Sequence, residues 1–519
     1  MKTATAVFLT FLAAGLHVYR FLHAGALWRD EAAAVQLATL PTLGEVFERF
    51  PHEAFPMLFP LALRVWVMVT GGSDLALRLL GLIAGLSILG ALWLNARQAG
   101  TVPLVSVALL GFHPFFLVYG DSVRGYGLGT LAILLAFGAY ARLVDRPDRR
   151  SIVLAAVAAV ASVHLLFHNS ALLLGLGLAA AAVGAIRKSW RTVAAALGVG
   201  LLAALTLLPY WGPLSAARSW NVVVQEKIGP AAILEAAGNT LGQPALWALF
   251  LVAGLAVALA RRDALFPLLA IPAVLAAQYG LFLVLGYSPR IWYFLPLMAV
   301  VASALDRLLA APVRLVRIGV PIAAALVAIL LLPGAYTGAR VRMTNVDWTV
   351  RALEAQARPG DLIVVNPWFA GISFARYYQG PARWMTLPDL PDHRMHRYDL
   401  LMERMRSDAP IADVLDAVRR TLASGGRVWV AGSFQAPPPG KQPPRLGPAP
   451  GGSPWGWQDE PYSVSWSMQL GAFLRDRAVR GGEIGIPGPG PVSDFERLRL
   501  HVFEGWSEAQ RPRPGISSR

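Results

Sequence analysis

Two adjacent carboxylates, Asp30 and Glu31, follow the first apolar run of the sequence almost at once. Ionisable side chains so close to a hydrophobic segment are costly, and in a membrane protein they mark a functional site by default. One carboxylate could act as a general base toward an acceptor hydroxyl or amine, while the second orients that acceptor or binds a cation. The structural alternative makes Asp30 the N-cap of a helix and puts Glu31 in its first turn.

The composition of the chain indicates that these two carboxylates belong to a membrane protein. Of 519 residues, 55% are hydrophobic and only 15% are charged, whereas about 25% charged residues are typical of soluble domains. The net charge of +15 lies largely in short loops between apolar runs. It therefore indicates anchoring and orientation in a lipid bilayer and not a nucleic-acid partner. The chain has no cysteine, and it lacks the short motifs of hydrolases and nucleotide-driven motors.

The apolar runs predict eleven transmembrane helices, with the N-terminus inside and everything after about Gly334 outside. The first is longer than the roughly 7–15 apolar residues of a signal peptide, so a retained helix is favoured over cleavage after Ala26. The run 55–70 is assigned to a short helix at the outer face, because counting it as a span would break the positive-inside pattern. The runs are 3–22, 74–94, 102–119, 126–144, 152–167, 171–186, 192–208, 245–260, 264–285, 291–309 and 320–332.

The last third of the chain predicts a different kind of domain. Segments 361–365, 427–431 and 498–503 are typical of strands, and 346–357 and 411–423 have helical spacing. Their alternation indicates a small α/β domain, and the Pro- and Gly-rich segment 435–457 an irregular loop. The predicted organisation is a transmembrane domain over 1–335, an extracytoplasmic α/β domain over 336–510 and a disordered tail over 511–519.

The predicted outer loops collect polar and aromatic residues that fit a substrate with a lipid tail, a phosphate and a polar head. Arginine suits the phosphate because guanidinium makes bidentate charge-assisted bonds. The aromatic rings could stack on a sugar or form an ordinary interfacial belt. Asp121 could equally be a turn residue, and Arg290 could simply anchor a helix end. The candidates are His52, Glu53, Asp121, Arg124, Tyr126, Arg290 and Tyr293, with Trp28, Tyr119 and Trp292 as further rings.

His164 and His168 lie four residues apart near the outer end of the fifth predicted span. This spacing suits a pair of metal ligands. Because the sequence offers no third ligand, a packed or interfacial role is favoured, and no metal site is predicted.

The order and spacing of several short segments resemble the bacterial polyprenyl-phosphate-dependent glycosyltransferases of the GT-C superfamily. These are relatives of protein O-mannosyltransferases and of lipid A aminoarabinose transferase. In these proteins an Asp-Glu pair opens the first outer loop, and a His-Pro-Pro-Leu-like segment closes it. The resemblance covers roughly residues 1–310. The segments are WRDE (28–31), HEAFPMLFPLALRVW (52–66), GGSDLALRLL (71–80), HPFFLVYGDSVRGY (113–126) and SPRIWYFLP (288–296).

The resemblance implies a GT-C-like fold and a role for each acid. Asp30 would be the general base, Glu31 would shape the acceptor site and Asp121 would be the second outer-loop acid. Arg124 and Arg290 would lie near the lipid phosphate, with the other loop candidates binding substrate. Two departures stand out: Glu53 replaces a proline after His52, and Gly81 stands where the family has serine.

The leading hypothesis is an inverting transfer of one sugar from a polyprenyl-phosphate donor to an extracytoplasmic lipid, glycan or protein. The enzyme would lie in the cytoplasmic membrane, with its C-terminal domain periplasmic or extracellular. No cofactor is required by this chemistry, and a divalent cation is compatible with it. Two alternatives remain: a transporter or flippase of lipid-linked sugars, and an assembly scaffold that binds through its α/β domain.

Overall fold

The computed structural model describes residues 1–53, 55–224, 229–258, 264–286, 289–310 and 314–508. Ala54, Ser288 and the tail predicted to be disordered lie outside these residues. In the described residues of the first part, the regular secondary structure is helical. Its helices are α1 Lys2–His23, α2 Arg29–Ala38, α3 Leu43–Arg49, α4 Leu58–Thr70, α5 Asp74–Gln98, α6 Leu104–Leu110, α7 Pro114–Gly120, α8 Gly125–Asp145, α9 Arg149–Leu165, α10 Asn169–Ile186, α11 Trp190–Leu205, α12 Trp211–Asn221, α13 Pro230–Leu241, α14 Pro244–Ala258, α15 Leu265–Leu285, α16 Leu295–Leu308 and α17 Arg314–Arg340.

The described chain has 8 helices long and apolar enough to cross a membrane, or up to 9 if the pair α13 and α14, bent by 90°, counts as one span. The predicted count of eleven is therefore not confirmed. The run 102–119 divides into α6 and α7, and Pro114, which begins α7, lacks the amide hydrogen that a continuous helix would need. Helix α9 has 17 residues, at the short limit for a span. Helix α4, with 13 residues, is too short to cross, as the sequence predicted.

Helix α5 passes so close to the turn between α7 and α8 that it needs glycine at two positions. A Cβ on Gly81 would lie 2.0 Å from the carbonyl oxygen of Asp121, and one on Gly85 would lie 2.1 Å from its Oδ1. The carboxylate of Asp121 is held by His17 of α1, whose Nδ1 lies 2.8 Å from both oxygens. Gly81 thus departs from the family pattern because a turn crosses the helix there.

The second part of the chain is an α/β domain built on one five-stranded sheet of order β2-β1-β3-β5-β4. Strand β1 pairs in parallel with β2 and β3, and β5 pairs antiparallel with β3 and β4. The elements are α18 Val346–Gln356, β1 Leu362–Asn366, α19 Gly371–Tyr377, β2 Arg383–Thr386, α20 Tyr398–Arg406, α21 Ala412–Ala423, β3 Arg427–Gly432, α22 Asp459–Arg477, β4 Ala478–Ile484 and β5 Leu500–Trp506.

The sheet is covered by helices on both faces. Along β1, Leu362 and Val364 pack with α20, α21 and α22, whereas Ile363 and Val365 pack with α18 and α19. This is the period-two alternation of a strand buried on both sides. The three predicted strands and the irregular segment 435–457 are confirmed. Strands β2 and β4 were not predicted from the sequence. Both lie at the outer edges of the sheet and contain exposed, polar residues.

The absence of cysteine allows a direct test of the predicted topology. We expect Ser407→Cys, on the exposed end of α20, to react with a membrane-impermeant maleimide in intact cells. Lys188→Cys, in the exposed α10–α11 connection, should react only after permeabilisation. Labelling of both positions from the same side would refute the predicted orientation.

We also expect Gly85→Ala to destabilise the fold, since the added methyl group collides with the buried His17–Asp121 pair. Overpacking of this kind costs about 1–3 kcal/mol. The measurement is the thermal midpoint of the purified protein in detergent. Gly90→Ala, on the same helix with open space around it, is the control, and equal midpoints would contradict the inference.

Candidate active site

The first outer loop begins with helix α2, which positions the two acids of the opening motif. Trp28 is the N-cap residue, and its backbone N–H donates to Glu31 Oε2 at 3.4 Å. The sequence alternative that made Asp30 the N-cap is therefore wrong, because α2 begins at Arg29 and its N-cap, Trp28, lies two residues before Asp30. Asp30 and Glu31 both lie in the first turn, where carboxylates interact favourably with the helix dipole.

Glu31 is buried and fully engaged in holding the fold. Its Oε1 accepts from Arg78 of α5 at 2.6 Å and from the backbone N–H of Val123 at 2.9 Å. Arg78 also donates to the carbonyl oxygens of Gly25 and Ala26, at the end of the first helix. The ion pair thus joins the α1–α2 connection, α5 and the α7–α8 turn at one point.

Asp30 differs from its neighbour because its carboxylate is not consumed by such contacts. Its side chain is 15% exposed. Its Oδ1 lies 3.6 Å from Nε of Arg29 and 3.5 Å from Nε2 of His396, which belongs to the C-terminal domain. Both distances exceed ordinary hydrogen-bond length. Only the backbone carbonyl of Asp30 is firmly bound, by Arg124 at 2.8 Å.

Glu53 lies where the first outer loop, the α7–α8 turn and the C-terminal domain meet. Its Oε2 accepts from Arg124 at 2.6 Å, and its Oε1 lies 2.8 Å from His396 Nδ1 and accepts from the His396 backbone N–H at 3.1 Å. Burial alone would raise the pKa of Glu53, but the charges and hydrogen bonds of His396 and Arg124 outweigh it and lower the pKa to about 2. Glu53 is therefore ionised and fixes the orientation of the His396 ring.

Two of the other predicted site residues point elsewhere. Asp121 is buried against His17. His52 stacks on Trp220 at 4.8 Å, and its Nδ1 lies 3.9 Å from Asp399. Neither makes a direct contact with Asp30 among the described residues. Their geometry holds the loops around Asp30 in place.

The predicted aromatic residues gather around one ring, that of Trp292. Its centroid lies 6.4 Å from Trp28, 5.1 Å from Tyr119 and 6.1 Å from Tyr126. Tyr293 extends the group, 6.4 Å from Tyr126. Trp28 lies two residues before Asp30 in the sequence, and Tyr119 lies two residues before Asp121. The cluster therefore brings the three predicted outer loops together beside Asp30.

Arg290 and the two histidines of α9 and α10 complete the surroundings. Arg290 is exposed and begins the turn that carries Trp292 and Tyr293. His168 stacks on Tyr293 at 4.4 Å, whereas His164 Nδ1 lies 2.9 Å from the hydroxyl of Tyr210. The two histidines thus have separate partners. Among the described residues no group of three or more His, Asp and Glu side chains is arranged to hold a metal ion.

Two residues of the C-terminal domain at this junction were not found from the sequence. His396 faces Asp30, and Glu496 accepts from the backbone N–H of Arg29 at 2.8 Å and from Ser373 Oγ at 2.7 Å. Burial raises the pKa of Glu496 to about 7, although Arg29 opposes this shift. His396 lies 343 residues from Glu53 in the chain, and Glu496 lies 467 residues from Arg29, so no local pattern could reveal either residue.

No family model matches the sequence, and no curated protein matches it either. Solved structures give a clear likeness of fold. The crystal structure of ArnT from Cupriavidus metallidurans bound to undecaprenyl phosphate matches with a TM-score of 0.54 at 12% identity, over 83% of this chain and 94% of that one. The apo structure of the same protein matches with a TM-score of 0.54 at 14% identity, over 83% and 93%. Arabinosyltransferase EmbB from Mycobacterium smegmatis gives a TM-score of 0.37 at 14% identity, over 58% and 30%.

Glu53 makes the docking of the C-terminal domain dependent on pH. Its folded-state pKa of about 2 is below the ordinary 4.5. Its contribution to stability is therefore full above about pH 4.5 and is lost as the pH falls toward 2. We expect Glu53→Gln to lower stability by about 3–5 kcal/mol near neutral pH, since it leaves Arg124 buried without its carboxylate.

Thermal unfolding of the purified protein between pH 2 and pH 7 measures this effect. The wild type should lose stability below about pH 4.5, and the variant should show a weaker dependence in that window. Glu48→Gln, at an exposed position of α3, is the matched control. A Glu53 variant as stable as this control would contradict the assignment.

Proposed function

We propose that this chain, which has the GT-C fold of ArnT, is a membrane glycosyltransferase that uses a polyprenyl-phosphate-linked sugar donor. The observation that carries the proposal is Asp30, a partly exposed carboxylate where the helix bundle meets the C-terminal domain, whose contacts among the described residues are all longer than a hydrogen bond. ArnT is a lipid A aminoarabinose transferase with a structure bound to undecaprenyl phosphate, which supports a lipid-linked donor here. The acceptor is an extracytoplasmic lipid, glycan or protein.

The proposed reaction is one inverting displacement at the anomeric carbon. The acceptor oxygen or nitrogen forms a bond to this carbon as the bond to the phosphate oxygen breaks. Asp30 takes the proton of the acceptor, and polyprenyl phosphate leaves with the bonding electron pair. A general base contributes roughly 10²–10⁴ in rate. Holding donor and acceptor side by side supplies much of the remaining acceleration.

His396 completes the proposed base. The ionised Glu53 accepts from His396 Nδ1, so a proton lies on that nitrogen. The Nε2 atom of the same ring then faces Asp30 at 3.5 Å. Glu53 would act as the group that holds the ring in this orientation beside the proposed base.

The remaining predicted residues divide into two groups by their contacts. Arg290 is exposed, and its guanidinium would bind the donor phosphate. Arg124 is committed to Glu53 and to the Asp30 carbonyl, and Glu31 to Arg78. These two, with Asp121 and His52, would position the loops. Tyr126 and Tyr293, in the ring cluster of Trp292, would line the path of the sugar.

The location follows from the same proposal. The apolar helices place the protein in a membrane as a multi-pass protein. We assign it to the cytoplasmic membrane, with Asp30 and the C-terminal domain on the periplasmic or extracellular side. This is the side on which the lipid-linked donor and the acceptor would meet.

We expect Asp30→Asn to lower transfer by roughly 10²-fold or more, since an amide cannot take the proton. Membranes with wild-type or variant protein are supplied with a panel of radiolabelled polyprenyl-phosphate sugars, and labelled product is counted. Asp408→Asn, at an exposed position beyond α20, should leave turnover unchanged. Equal thermal midpoints for both variants exclude unfolding as the cause. Full turnover by Asp30→Asn would refute the assigned base.

A further inference from the structure

The C-terminal domain contains a cleft that the reaction at Asp30 does not use. It encloses about 470 Å³ at the carboxyl ends of β1 and β3. The two strands are parallel neighbours, and β2 lies on the other side of β1. The chain therefore leaves β1 and β3 in opposite directions along the sheet. Crevices at such switch points are where open α/β sheets bind ligands.

The lining of this cleft combines aromatic faces with hydrogen-bonding groups. Phe369, Phe434 and Phe495 contribute rings, and Phe495 is 43% exposed. Ser433 contributes polar atoms at the end of β3, whereas the amide nitrogen of Asn366, at the end of β1, already donates to the Ser433 carbonyl and to Ser467. Flat rings with a few well-placed polar groups are suited to a ligand that has apolar faces and hydroxyl edges. A saccharide has both.

The charged groups at the cleft favour an anionic ligand. The guanidinium of Arg499 is exposed and forms no ion pair within the described part of the chain. His501 Nδ1 is buried and has no hydrogen-bond partner among the same residues. Of the two acids in the lining, Asp494 is exposed and lies 3.8 Å from Arg497, which offsets its charge, and Glu496 binds Ser373 and Arg29. One cationic side chain and one imidazole nitrogen are thus left for a carboxylate or phosphate group.

The wall of the cleft is also the wall of the candidate active site. Arg29 donates to the carbonyl oxygen of Phe495 at 2.7 Å, and its guanidinium lies 4.3 Å from the ring of Phe369. The same side chain lies 3.6 Å from Asp30. An oligomeric ligand in the cleft would therefore reach Arg29, the residue next to the proposed base, Asp30.

We propose that this cleft binds the acceptor, and that the acceptor is a saccharide bearing a carboxylate or phosphate group. The identification of the ligand as the acceptor rests on the proposed function, whereas the binding site itself is inferred from the geometry of the cleft. Arg499 would hold the anionic group, and the phenylalanine rings would pack against the sugar faces. The sugar unit of the acceptor that receives the transferred group would extend past Arg29 to Asp30.

The test measures saccharide binding to the full-length protein in phosphatidylcholine nanodiscs, by calorimetry and without any donor. The probes are hexagalacturonate, maltohexaose and a phosphorylated maltohexaose. We expect one or both anionic probes to bind. The probe that binds more tightly identifies the anionic group of the ligand as a carboxylate or a phosphate. Arg499→Gln should weaken that binding by about 10-fold or more. Arg480→Gln, exposed on β4 of the same sheet and outside the cleft, should bind like wild type.

The outcomes separate this inference from the proposed function. Equal binding of the neutral probe, or unchanged binding by Arg499→Gln, would overturn the cleft assignment even if donor turnover is observed. Arg499-dependent binding without donor turnover would retain the cleft and count against glycosyl transfer. Where both occur, Arg499→Gln should raise KM for the anionic acceptor and leave kcat unchanged, because Arg499 lies outside the reacting centre. A fall in kcat alone would contradict an acceptor-binding role.

Discussion

The buried ion pair between Glu31 and Arg78 is the contact on which the arrangement of the outer face depends. It ties the end of α1, the start of α2, α5 and the α7–α8 turn together. A buried pair of this kind is costly to break from one side, because the remaining charge is left without compensation. Because Glu31 is held in this way, its neighbour Asp30 is fixed in position, while the described residues give its carboxylate only the longer contacts with Arg29 and His396. In our proposal, the two acids of one motif thus divide structure and chemistry between them.

The C-terminal domain completes this arrangement instead of merely covering it. His396 brings an imidazole to Asp30 and binds Glu53, and Glu496 receives the backbone N–H of Arg29. Asp74, at the start of α5, binds Arg376 and Tyr377 in the same way. Each of these contacts pairs a buried or half-buried polar group of one part of the chain with one of the other.

The sequence was sufficient for features that depend on local pattern and insufficient for those that depend on contact. The acid pair, the outer arginines and the aromatic rings were found because ionisable and aromatic residues beside apolar runs are rare and positioned by the membrane. Glu53 was predicted as a substrate-binding residue and as a departure from the family pattern, but its contacts with Arg124 and His396 could not be read from the sequence. His396 lies in an unremarkable polar stretch, so only the docked fold reveals it. The span count is not confirmed, because Pro114 divides the run 102–119 into two helices, α9 has only 17 residues, and α14 is long enough to span only if it is counted together with α13.

The contact between His396 and the first outer loop has a consequence for how such a chain can change over generations. A domain that ends at its own surface can be exchanged between proteins as a module. A helix bundle that received a foreign extramembrane domain would keep Glu53 and Arg124 in a buried site. The new domain would need an imidazole at the position of His396 to bind Glu53. Recombination at the boundary would therefore be selected against unless both partners were inherited together. The helix bundle and the sheet domain are, in this sense, one heritable unit.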